Sequence, residues 1–251
     1  MSGKKFSYPV AEMFHSLQGE GVYCGKPMFF IRLAGCNVGR LHTPQSVPSS
    51  DAEFPVVHAQ CTAHGGAEFT CDTDYHVRDR LTAEQIVSII PPGVAYACIT
   101  GGEPFLHRLD SLVGLLFSEG IHVHVETSGT LRFADTLDPE WLEFGNGANR
   151  LHIACSPKIS ASTNQSVLVE NAPFVSEWKF LISTARTENY WYRVVSDFLV
   201  AYNAHEAPVY LQPINAIDTP DADATARVIR LAKRSGVWSL SPQLHKYLVI
   251  R

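Results

Sequence analysis

No apolar run in this 251-residue chain approaches the roughly eighteen residues that cross a membrane. The opening MSGKKFSYPVAEMF carries two lysines but lacks the apolar stretch of a signal peptide. Charge is also scarce, at 18% of residues, and 20 Lys and Arg against 25 Asp and Glu leave a formal net charge of -5. Such a surface offers no basic field to nucleic acid or anionic lipid, so neither a direct nucleic-acid contact nor a membrane contact is expected. Six cysteines are too sparse for a disulfide framework at this length, which fits a reducing, cytoplasmic setting. The 45% hydrophobic content is that of an ordinary core and excludes disordered, collagenous and coiled-coil readings.

Short apolar runs alternate with helix-like stretches. The runs are Pro27–Leu33, Val94–Ile99, Ile121–Val125, Leu151–Ala154, Trp178–Ile182, Val209–Leu211 and Val237–Leu240. Helical patterns cover Thr82–Ile90, with Thr82 and Gln85 at capping-box spacing, then Leu109–Phe117, Tyr190–Ala201 and Ala222–Lys233. This rhythm predicts a parallel sheet built from βα units. An open dinucleotide-binding sheet should begin with a glycine-rich strand-to-helix turn; Gly19–Gly25 has one residue too many and leads into a strand-like run. A complete or partial barrel is favoured, because the polar motifs follow the strand ends, where barrel chemistry gathers. No linker divides the chain, so residues 1–251 are expected to form one domain. Residues 37–70 carry Pro44, Pro48, Pro55 and Gly65-Gly66, show no convincing periodic element, and read as an inserted functional loop.

Cys36, Cys61 and Cys71 bracket that loop as C-x24-C-x9-C, in polar, turn-forming contexts at its two ends. Cys98 lies inside an apolar strand pattern and reads as core, and Cys24 and Cys155 read as ordinary thiols. Widening a three-residue gap to twenty-four adds three doublings, about 1.8 kcal/mol of loop-closure entropy. Metal–thiolate binding on the order of 10 kcal/mol would outweigh that cost. The spacing leaves three outcomes open: a Cys3His zinc site completed by His58 or His64, a 4Fe-4S cluster with one open iron, or no metal.

Eight motifs in order sharpen the picture: LQGEG (Leu17–Gly21), FIRLAGCN (Phe30–Asn37), CDTDY (Cys71–Tyr75), ITGGEP (Ile99–Pro104), ETSGT (Glu126–Thr130), SPK (Ser156–Lys158), LQPI (Leu211–Ile214) and HKYL (His245–Leu248). This set resembles the 7-carboxy-7-deazaguanine synthase family of radical S-adenosylmethionine enzymes, from about residue 11 to the end. The resemblance implies an α/β partial barrel of six βα-type units with shortened helices, working as a homodimer. It implies conversion of 6-carboxy-5,6,7,8-tetrahydropterin into 7-carboxy-7-deazaguanine with loss of ammonia, a carbon–nitrogen lyase step toward queuosine in tRNA and related 7-deazapurines. A 4Fe-4S cluster, S-adenosylmethionine, Mg2+ and a flavodoxin- or ferredoxin-like electron donor are implied with it.

By the same resemblance Cys36, Cys61 and Cys71 hold the cluster and Thr73 is the protein ligand to Mg2+, with Asp72 and Asp74 as neighbours. Gly101, Gly102, Glu103, Ser128, Ser156, Lys158 and Gln212 are the expected cofactor contacts, Glu103 through the ammonium of S-adenosylmethionine. The glycines would let backbone approach that ligand. Gln18, Glu20, Arg32, Thr100, Gly102 and His245 are the expected pterin contacts, and the carboxylate of Arg251 is expected to help close the pocket. Gln18 and Glu20 suit the paired donors and acceptors of a 2-amino-4-oxopyrimidine edge, and Arg32 suits a carboxylate. The chain departs from the family's compact C-x3-C-x2-C, which would place cysteines at Arg40 and Glu68; Cys61 is taken as the displaced middle ligand. Two other readings are a glycyl-radical-enzyme activase and a zinc-stabilised, non-catalytic module.

Overall fold

The computed structural model describes residues 6–47, 56–63, 70–71, 73, 76–144, 150–159, 166–216 and 219–250, with backbone alone at 39–47, 56–63, 70–71 and 144. In chain order the elements are β1 (Tyr8–Leu17), β2 (Pro27–Leu33), β3 (Gly39–Val47), β4 (Val56–Ala63), β5 (Thr70–Cys71), β6 (Asp79–Leu81), α1 (Ala83–Ile89), β7 (Tyr96–Gly101), α2 (Asp110–Ser118), β8 (His122–Thr127), α3 (Pro139–Phe144), β9 (Leu151–Cys155), β10 (Glu177–Ile182), α4 (Glu188–Ala201), β11 (Val209–Pro213), α5 (Ala222–Ser235), β12 (Ser239–Leu240) and α6 (Leu244–Leu248).

Nine strands form one sheet in the order β12-β11-β10-β9-β8-β7-β2-β1-β6. Pairing is parallel from β2 through β7 to β12, whereas β1 runs antiparallel to both β2 and β6. The outer strands β12 and β6 do not pair, which makes this the partial barrel expected from the βα rhythm. The helical layer is trimmed: α3 has six residues, and a 3-10 turn at Val169–Phe174 stands before β10.

Local chemistry places the helices where the sequence puts them. Thr82 and Gln85 form the reciprocal capping box of α1. Thr187 caps α4 by accepting from Tyr190 N, and Asp221 caps α5 by accepting from Ala224 N. Helix α5 buries Ala224, Val228 and Leu231 at i, i+4, i+7 and ends in left-handed Gly236. Alternation along the strands does the rest. On β7, Ala97 and Ile99 pack outward with Leu112, Val113 and Leu116 of α2, while Cys98 joins Met28 and Phe30 in a smaller inner cluster.

One expectation fails. Residues 37–70 hold a separate three-stranded sheet, β3-β4-β5, rather than an aperiodic loop. The alternation in β3 is interrupted by Pro44, which falls where the β3–β4 register shifts between Leu41 and Pro44. In this sheet Cys61 and Cys71 are direct cross-strand partners, which sets their α-carbons about 4.5–5.5 Å apart.

Burial sets the energetic scale. Leu112 is fully buried and Val237 is 79% exposed. Leu112→Ala is expected to lower the unfolding free energy by roughly 2–5 kcal/mol, and Val237→Ala to change it by less than about 0.5 kcal/mol, as read by denaturant titration.

Candidate active site

The inward-facing positions of β2 and β7–β11, together with the Gln18–Glu20 turn and the α6 region, enclose a cavity of about 310 Å³ at the C-terminal ends of the parallel strands. Of the residues expected at the pterin, Gln18, Glu20, Arg32, Thr100, Gly102 and His245 line it. Of those expected at the cofactor, Gly101, Ser128, Ser156, Lys158 and Gln212 line it, as do Cys36 and Thr73. Arg251, Asp72, Asp74 and His64 lie outside the described residues, as do the side chains of Cys61, Cys71, His58, Arg40 and Glu68.

Glu103 is placed differently. It is fully buried and its carboxylate accepts from Thr127 Oγ1 at 2.7 Å, Ser128 N at 2.8 Å, Ser128 Oγ at 2.5 Å and Phe105 N at 3.2 Å. Protein donors thus occupy it, and it ties the turn after β7 to the end of β8. The paired glycines serve backbone packing as well. A Cβ on Gly101 would lie 2.0 Å from Leu33 O, and one on Gly102 would lie 1.9 Å from Gly35 O and 2.8 Å from Cys36 Cβ. Only glycine lets this turn run against the segment that presents Cys36, an approach closed by Glu103 N donating to Gly35 O at 2.9 Å.

The cavity floor is an ion network built around Lys179. This lysine is 4% exposed, and its Nζ donates to Glu20 Oε2 at 2.6 Å and Glu126 Oε1 at 3.2 Å. Gln18 Nε2 and Thr100 Oγ1 donate to Glu126 at 3.2 and 2.9 Å, and Gln212 and Gln243 donate to Glu20 Oε1 at 2.9 and 3.1 Å. Burial works to raise the Glu126 carboxyl, but Lys179, His124 and the Thr100 hydroxyl outweigh it and hold the group well below its usual range. Burial likewise works to lower Lys179, and Glu126 and Glu20 reverse this, so the ammonium stays charged. Gln212 Oε1 is buried with no partner among the described residues, an acceptor left open at the cavity.

Arg32 pairs with Glu12 at 3.2 Å and donates to Thr73 Oγ1 at 3.2 Å, so the guanidinium and the Thr73 hydroxyl share one side of the cavity. Cys36 is half-buried, and its sulfur accepts from Val38 N at 3.3 Å. A thiolate is the better acceptor for such an N–H, and the donor set of one cavity-lining cysteine and two cross-strand cysteines suits a thiolate-bound metal.

No protein-family model matches the chain. A 7-carboxy-7-deazaguanine synthase of Escherichia coli K12 is 31% identical over 97% of this chain and 99% of its own length. The chain belongs to the 7-carboxy-7-deazaguanine synthase family. The synthase of Synechocystis sp. PCC 6803 is 29% identical, covering 98% of this chain and 94% of the relative. The crystal structure of QueE from Escherichia coli superposes with a TM-score of 0.65 and 25% identity over 95% of each chain. Membership makes the protein an enzyme of this family and agrees with the partial-barrel fold. Among the described residues, no helix is long and apolar enough to cross a membrane.

The sequence reading missed Lys179 and Glu126 as site residues. Their signal was parity. In HVHVET and EWKFLI, ionisable residues recur at every second position of otherwise buried strands, which marks the inner barrel face as polar.

Removing Lys179 tests the network. Depressed carboxylates stabilise the fold above their usual value of 4.5 and lose that contribution as pH falls through the lowered one. Lys179→Met leaves Glu20 and Glu126 without their cation and is expected to cost roughly 3–5 kcal/mol at neutral pH. The difference from the wild type should narrow below about pH 4.5 as Glu126 protonates. Denaturant titrations at the two pH values check this.

Proposed function

We propose that this synthase converts 6-carboxy-5,6,7,8-tetrahydropterin into 7-carboxy-7-deazaguanine with loss of ammonia, as a carbon–nitrogen lyase on a route to queuosine or another 7-deazapurine. The observation that carries this reading is the cavity floor. Glu20 and Glu126 offer carboxylate acceptors, and Gln212 Oε1 is open beside them. A 2-amino-4-oxopyrimidine edge presents adjacent N–H donors and one carbonyl acceptor, and the Lys179 ammonium is a cation that the carbonyl can meet. The substrate carboxylate then belongs on the Arg32 and Thr73 side, where Arg32 offers its guanidinium fork.

In this reading Cys36, Cys61 and Cys71 would hold a 4Fe-4S cluster, which together with S-adenosylmethionine would supply an organic radical. The chain's own residues position and enclose. Gly101 and Gly102 let the β7 turn run against the segment that presents Cys36, and Glu103 fixes Ser128 at the rim. Ser156 and Lys158, joined by a 3.0 Å hydrogen bond, stand beside it at the end of β9. Thr73 is the proposed protein ligand to Mg2+, whose remaining positions suit waters and the substrate carboxylate. His245 would help close the pocket. A homodimer, a cytoplasmic location and an external flavodoxin- or ferredoxin-like electron donor complete the proposal.

Anaerobic reconstitution with iron and sulfide tests it. A brown protein whose visible absorption bleaches with dithionite, and which releases ammonia and the deazapurine from the carboxypterin, is the expected result. A brown protein inactive on the free pterin would favour an activase, and a colourless one binding a single zinc would favour the non-catalytic module. Cys61→Ala is expected to abolish iron loading while Cys98→Ala, in the inner apolar cluster, leaves it intact; equal iron content in both variants would refute the ligand assignment.

A further inference from the structure

Below the cavity floor the inner barrel face continues as a column of ionisable groups that the proposed reaction does not use. His124 of β8 is 2% exposed, and neither of its ring nitrogens has a hydrogen-bond partner among the described residues. The carboxylate oxygen facing its Nε2 is Glu126 Oε1, at 3.7 Å. His152 is its register partner on β9; the two rings stack with centroids 5.1 Å apart and planes 20° apart. On the far side, His152 Nε2 lies 3.6 Å from Glu177 Oε2, and Glu177 is 1% exposed. Two imidazoles therefore span two carboxylates, one in the cavity and one sealed beneath it.

The packing keeps this column intact. Glu177 Oε2 accepts from Val22 N at 2.8 Å, and a Cβ on Gly21 would fall 2.1 Å from Glu177 Oε1, so the turn closes over the carboxylate only through a glycine. Tyr23 meets both imidazoles edge-on, at 4.8 and 5.6 Å. The other ionisable groups facing the column are Cys98 and Tyr96 of β7, His122 of β8, Lys179 of β10, Tyr210 of β11, Glu20 and Lys26 of the turn, and Arg32 of β2, which is paired with Glu12.

Charge then limits the proton count. Among the described residues, Glu20, Glu126 and Glu177 of this column share one ammonium, that of Lys179, which pairs with Glu20 and Glu126, so one proton on the imidazole pair relieves the excess. A second would put two cations on stacked rings. We propose that His124 and His152 hold one shared proton beneath the substrate site, and that His124 exchanges it with Glu126 as a positioning residue for proton transfer. Burial lowers His152, with Glu177 opposing. Loss of ammonia needs a proton delivered to the departing nitrogen and another taken from carbon. One proton leaving His124 through Glu126 and one returning balance that exchange without a further reactant. The catalytic use rests on the carboxypterin reading; the shared proton does not.

The test is a histidine-selective 13Cε1 NMR titration of the substrate-free protein with its cluster oxidised, set beside the pH profile of kcat/KM for the carboxypterin. The His124 and His152 signals should titrate together, taking up one proton between about pH 5 and 8. Glu177→Gln should lower that midpoint by roughly one unit and move the matching limb of the rate profile equally, with KM held within about twofold. If Glu177→Gln does not fold, His152→Gln should leave His124 titrating alone, with the rate profile following it. Two independent protonations, or a midpoint indifferent to both variants, would overturn the proposal; a midpoint that moves while the rate profile stays would overturn its catalytic use. A wild-type enzyme that shows the shared titration but makes no deazapurine would support the proton site and refute the carboxypterin reading instead.

Discussion

The cavity depends on one buried ammonium. Lys179 reaches from β10 to carboxylates on the Gln18–Glu20 turn and on β8, joining elements that the backbone ladder does not connect directly. Without a cation there, Glu20 and Glu126 would repel each other in a setting too dry to screen them. With it, Glu126 stays ionised, which is the form that accepts N–H donors. Stability and recognition thus share one group.

A second constraint works from the other side of the cavity. The residues after β7 must pass within van der Waals contact of Leu33–Cys36, and paired glycines permit it. Glu103 then fastens this turn to the end of β8 through Thr127 and Ser128. The segment that presents Cys36 and the proposed substrate side are therefore tied together through β2, β7 and β8, neighbouring strands of one sheet, which favours fixed spacing between them.

Much of this was legible before the fold was known, for physical reasons. The apolar runs of β2 and β7–β11 are strands buried on both faces, and the capping box at Thr82 marks a helix start that the structure reproduces. The hairpin within residues 37–70 was not legible, because Pro44 sits in a register shift and hides the alternation. Strand β1 escaped notice for a related reason: YPVAEMFHSL is bulged between Val10 and Glu12, so its faces exchange midway. At the site, the motif residues found their place because motifs preserve local spacing. Lys179, His124 and Glu177 come together only through sheet register, which no linear spacing encodes. Glu103 illustrates the reverse case, a motif carboxylate whose hydrogen bonds are filled by its own neighbours.

The central claim is that the floor formed by Glu20, Lys179, Glu126 and Gln212 recognises a 2-amino-4-oxopyrimidine edge. It is tested most directly by calorimetric binding of pterin-6-carboxylate beside lumazine-6-carboxylate, which replaces the 2-amino group with an oxygen. The account predicts that the lumazine binds at least about a hundredfold more weakly, since it turns a carbonyl toward a carboxylate and leaves buried acceptors unpaired. Equal affinity for the two would contradict it.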